Sequence, residues 1–77
     1  IFEAHTLQRI LQEESSAAGV GNRLKAMGFT YLLYDEAYLL GEPSPLSADE
    51  KTLFLDFQAG HLSAVHREGS YRLYRLF

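Results

Sequence analysis

A chain of 77 residues has room for one small domain with one hydrophobic core, because a chain this size buries only about two-thirds of its unfolded surface. A hydrophobic content of 47%, with five Tyr and five Phe, can fill that core, while a net charge of -3 offers no basic field to a phosphate backbone and argues against nucleic acid as a partner. The absence of cysteine excludes disulfides, thiolate metal sites and cysteine nucleophiles, and the longest apolar runs fall far short of the roughly 20 residues that cross a bilayer.

From Phe2 to about Glu14, Ala4, Leu7, Ile10 and Leu11 recur on one face of a predicted amphipathic helix. Ala17, Val20, Leu24 and Met27 keep the helical spacing toward a stop at Gly28, although Gly19 and Gly21 weaken the first half. "GVGNRLKAMG" lacks both the preceding strand and the third glycine of a dinucleotide fingerprint, so it reads as a helix entrance or linker. "FTYLLYD", short and dense in aromatic and β-branched residues, predicts a buried central strand. "EAYLL" continues as a helical turn stopped by Gly41 and two prolines. Ser47 and Glu50 then form a capping box, behind a Leu46 placed to staple, and open a helix with Leu53, Phe54 and Phe57 on its apolar face and Gly60 at its end.

"LSAVHREGSYRLYRLF" predicts a β-hairpin turning at "REG", with Gly69 in the left-handed position of a three-residue loop. That register pairs Val65 with Tyr71 and puts Leu73 on the same face, with Leu62, Tyr74 and Leu76 on the other; a two-residue loop would change the pairing. The expected fold is α+β: a single domain over residues 1–77, in which two to three helices cover a sheet of about three strands that includes the C-terminal hairpin.

Few constellations carry chemistry. His5, His61 and His66 lack metal-ligand spacing, no serine lies in a nucleophile elbow, and no cofactor is implied. Asp35 and Glu36 stand at the end of the predicted central strand, where ligands gather in open sheets, but a strand-to-helix junction recruits the same residues for capping. Arg67, Arg72 and Arg75, interleaved with Tyr71 and Tyr74, form a candidate binding surface for anionic headgroups or a sugar phosphate. The plainer reading of the same pattern, and the preferred one, is a solvated strand face whose cations oppose edge-to-edge association.

"NRLKAMGFTYLLYD", "PLSADEKTLFLDF" and "LSAVHREGSYRLYRLF", in this order, resemble the soluble C-terminal tail domain of bacterial polytopic membrane glycosyltransferases, the family 39 or protein-mannosyltransferase-like enzymes that use polyprenyl-phosphate sugars. The resemblance covers about residues 20 to 77 and consists of apolar positions and turn residues, with no catalytic signature. It implies a piece cut from a larger membrane protein after its last transmembrane helices, with Phe77 as the natural terminus, on the extracytoplasmic (periplasmic) face of the inner membrane. It also implies a non-catalytic accessory domain, since that family's catalytic acidic residues sit in loops of the membrane portion. The implied partners are that membrane portion, lipid headgroups and the glycan acceptor. Two other readings stand beside it: a small protein-interaction module using the hairpin edge, and a small enzyme resting on Asp35 and Glu36.

Overall fold

The computed structural model describes residues 4–77. These form an α+β fold of four helices and a three-stranded antiparallel sheet: α1 (Ala4–Glu13), α2 (Ala17–Ala26), β1 (Tyr31–Asp35), α3 (Glu36–Leu40), α4 (Ala48–His61), β2 (Leu62–Glu68) and β3 (Tyr71–Leu76). The fourth helix, beyond the two to three expected, is the turn at Glu36–Leu40. Phe2, where the first predicted helix begins, lies outside the described residues.

The helices start and stop where local chemistry directs. Leu7, Ile10 and Leu11 of α1 are buried on one face. Ser16 caps α2 by accepting the Gly19 N–H at 3.1 Å. At its other end Phe29 N–H donates to Leu24 O at 3.1 Å and Gly28 N–H to Lys25 O at 3.0 Å, a Schellman closure that needs the positive φ of 91° at Gly28. The helix runs unbroken through "GVG" because Gly21 is buried against α4: a Cβ there would stand 3.4 Å from His61 Nδ1 and 3.5 Å from the Phe57 ring. In α4 the capping box closes in both directions, Ser47 N–H to Glu50 Oε1 at 2.9 Å and Glu50 N–H to Ser47 Oγ at 3.2 Å, with Leu46 buried behind it. This helix continues one residue past Gly60 to His61, because nothing in the backbone there requires a left-handed residue.

The strand order is β1-β3-β2, so the last strand is central and β1 is an edge, contrary to the expectation for "FTYLLYD". The burial of β1 alternates: Leu32 and Tyr34 face the core, Tyr31 and Leu33 face outward. Because the outward residues are as apolar as the inward ones, the segment mimics a strand buried on both faces. In the hairpin Glu68 pairs with Tyr71, and the loop is two residues, Gly69 and Ser70. Gly69 has φ 59°, in the first loop position that a type II′ turn reserves for glycine. Val65 therefore does not pair with Tyr71. It sits in a bulge between the Ala64–Tyr74 and His66–Leu73 pairs.

The helices cover one face of the sheet. Leu32, Tyr34, Leu62 and Leu76 join Leu7, Ile10, Leu11, Val20, Leu24, Leu39, Leu46, Phe54 and Phe57 in one core. After Leu62 every residue of β2 is exposed, so the hairpin extends past the helical layer.

Candidate functional site

The projecting hairpin carries the residues singled out in the sequence, and the pleat divides them. Cross-strand partners share a face, so Tyr34, Arg72 and Arg67 form one row, and Leu32, Tyr74 and Ala64 another, on the helix-covered side. Tyr31, Arg75 and Ser63, then Leu33, Leu73 and His66, then Asp35, Tyr71 and Glu68 form three rows on the open side. The Arg/Tyr set is thus two surfaces, Arg67, Arg72 and Tyr74 on one face and Tyr71 and Arg75 on the other.

On the helix side most of these groups are held in structural contacts. Tyr74 stacks on Tyr34, centroids 5.7 Å apart and planes 10° from parallel; Tyr34 meets Phe54 edge-on at 5.3 Å and donates its hydroxyl to Gln58 Oε1 at 2.6 Å. Burial, reinforced by the neighbouring Tyr74, pushes the Tyr34 hydroxyl well above the ordinary tyrosine range, so it remains a donor. Arg72 donates to the carbonyls of Gly69 at 2.8 Å and Tyr71 at 3.0 Å and lies 3.6 Å from the Glu36 carboxylate. Those contacts hold one cation directly across from another, since Arg67 is the cross-strand partner of Arg72. Arg67 is exposed, and no ion pair to it is found among the described residues. A shallow hollow of about 220 Å³ lies here between Ala64, Val65, His66, Arg67, Arg72 and Tyr74.

Asp35 and Glu36 join α3 to the hairpin tip. Asp35 accepts the Ala37 and Tyr38 N–H groups at 3.1 and 3.4 Å, capping α3, and the Ser70 hydroxyl together with these amides holds its carboxyl below the usual range. Glu36 N–H donates to Ser70 O at 2.9 Å while its side chain faces Arg72. Each carboxylate therefore has a local structural partner. His61 stacks on Phe57 at 5.9 Å, and His66 is exposed, 3.9 Å from Glu68. Among the described residues no group of three or more His, Asp or Glu is placed to hold a metal.

The open face carries what the sequence reading overlooked. Tyr31, Leu33 and Tyr71 are large apolar groups about half exposed, and Leu33, His66, Glu68, Tyr71 and Leu73 line a groove of about 360 Å³. The signal was the alternation itself: apolar residues at 31 and 33 and at 71 and 73 share one face, in register across the β1–β3 pair. None of the described helices is long and apolar enough to cross a membrane. No family model, curated protein or solved structure matches the chain.

Proposed function

We propose that this chain is a non-catalytic, extracytoplasmic accessory domain of a membrane glycosyltransferase that uses a polyprenyl-phosphate sugar donor, held on the periplasmic face of the inner membrane by its own membrane portion. What supports the reading is that the residues carrying the resemblance are those that build the fold. Gly28 closes α2, Leu32 and Tyr34 enter the core from β1, Ser47 caps α4, and Tyr74 and Leu76 enter the core from β3. The structural employment of Asp35 and Glu36 described above supports a non-catalytic role. The sugar donor and the glycan acceptor are then handled by the membrane portion, which this domain packs against and orients.

Headgroups contribute little to that attachment. Arg72 is committed to Glu36 and two carbonyls, which leaves Arg67 as the exposed cation on its face among the described residues. One basic residue near an anionic leaflet is worth about 1 kcal/mol. Packing on the membrane portion must supply the rest.

The test uses the full polypeptide in cells. These 77 residues contain no cysteine, so once any cysteines elsewhere in the full polypeptide are replaced by serine, a single Asn22→Cys, at an exposed position on α2, reports alone. A membrane-impermeant maleimide should label it in intact spheroplasts; labelling only after lysis, or recovery of the polypeptide in the soluble fraction, overturns the reading.

The interaction-module reading keeps one specific observation: β2 is an exposed edge strand. The bulge at Val65 and the charges of Arg67 and Glu68 interrupt that edge, which are devices that oppose strand addition.

A further inference from the structure

The open sheet face has a centre and two unlike ends. Its middle row is Leu33, Leu73 and His66. One end row is Tyr31, Arg75 and Ser63, with a single cation; the other is Asp35, Tyr71 and Glu68, a tyrosine between two carboxylates. Leu33 and Tyr71 are 43% and 54% exposed, although a solvated sheet face ordinarily carries polar groups at such positions.

We infer that this face pairs with the same face of a second copy of the chain, with Arg75 of each copy seated on the Tyr71 ring of the other beside that copy's Glu68. The register selects the arrangement. Two sheets can stack face to face about a two-fold axis running along the strands or across them. An axis along the strands lays each end row on itself and sets Arg75 against Arg75. An axis across the strands lays β3 antiparallel on β3, brings Leu33, Leu73 and His66 onto their own counterparts, and carries each cationic row onto the tyrosine–carboxylate row. Only the second is self-complementary.

Each end of the pair then gains two favourable contacts. The guanidinium meets the face of Tyr71, a cation–π contact, and Glu68, which is exposed with His66 3.9 Å away, turns toward it and accepts its hydrogen bonds. Asp35 stays committed to capping α3 and adds negative potential to the row. The groove between Leu33, Leu73, His66, Glu68 and Tyr71 is the space that the arriving Arg75 stem fills.

The footprint is small. Three rows on three strands cover on the order of 300 Å² per copy, so the contact belongs with weak, transient interfaces. In a larger polypeptide, tethering and shared orientation raise its effective strength.

Sedimentation equilibrium of the 77-residue chain from about 0.02 to 1 mM should show a monomer–dimer equilibrium. Arg75→Glu and Glu68→Arg, both at exposed positions, should each weaken it about tenfold or more, with amide spectra showing both variants folded. An equimolar mixture of the two variants should restore association to near the parent strength, because both ends of the mixed pair then set opposite charges against each other. Monomer throughout the range, or a dimer indifferent to both reversals, overturns the proposal. So does a mixture no stronger than either variant alone. Saturable shifts of Leu33, Leu73 and Tyr71 amides on lipid nanodiscs, without self-association, would assign the face to a lipid surface and overturn it equally.

Discussion

Tyr34 and Tyr74, adjacent strands' contributions to the helix-covered side, lie nearly parallel with ring centroids 5.7 Å apart, and the Tyr34 hydroxyl reaches across to Gln58 on α4. One stack thus fastens the edge strand, the central strand and the longest helix at the point where the hairpin leaves the helical layer. Removing only the hydroxyl, in Tyr34→Phe, should cost about 1 kcal/mol and lower Tm by roughly 4–8 °C. Tyr74→Ala removes ring packing as well and should cost about 2–3 kcal/mol. Urea denaturation of both variants measures the difference, and equal losses would contradict this role for the stack.

Two glycines that both read as helix stops should respond oppositely to alanine. Gly28 has φ 91° and open space around it, so Gly28→Ala meets no clash and should lose about 1–2 kcal/mol to left-handed backbone strain alone. Gly60 also faces open space but lies inside α4 without a positive φ, so Gly60→Ala should gain about 0.5–1 kcal/mol. Chemical denaturation curves with unchanged m-values would establish the two signs.

The junction of α3 with the hairpin should be acid-sensitive. Asp35 is held below its ordinary value of 3.8 by the Ser70 hydroxyl and by the Tyr38 and Ala37 amides, so its contribution is present above that value and is lost as pH falls through the lower folded value. The amide signals of Ala37, Tyr38 and Ser70 should move with a midpoint below pH 3.8. In Asp35→Asn, which keeps a capping oxygen, that pH-dependent movement should vanish while neutral-pH stability changes little. Movement of these amides centred above pH 3.8 would reverse the assigned sign.

Anionic nanodiscs should bind the isolated domain weakly. Shifts are expected around Arg67, to fade as salt rises from about 0.15 to 0.5 M and to disappear in Arg67→Gln. A salt-resistant micromolar Kd would mean a far larger membrane contact than one cation can supply.

Much of the fold was legible because its punctuation is local. Ser47 with Glu50, Gly28 and Gly41 each fix a boundary by chemistry within a few residues and act at their predicted places, whereas Gly69 is left-handed as expected but opens a two-residue loop instead of belonging to a three-residue one. Strand order was not legible, since Tyr31 and Leu33 on the open face are as apolar as Leu32 and Tyr34 in the core, and burial on one face then resembles burial on both. Nor was the bulge, because Val65 carries no glycine or proline to announce it and the loop length alone decides the register. The division of the candidate surface was readable. Arg72 and Tyr74 occupy even positions of β3 and Tyr71 and Arg75 odd ones, so strict alternation separates them once the segment is a strand. What lay outside the sequence was the committed state of Arg72, which depends on the tertiary approach of Glu36 from α3.

Transfer from a radiolabelled polyprenyl-phosphate sugar reports where the chemistry resides. Membranes containing the full polypeptide should transfer the sugar from a donor in a panel of such lipids, and the isolated 77-residue chain should transfer none. Turnover by the isolated chain, or no turnover of any donor by well-expressed, folded full-length protein, would rule out a non-catalytic accessory domain of such a transferase.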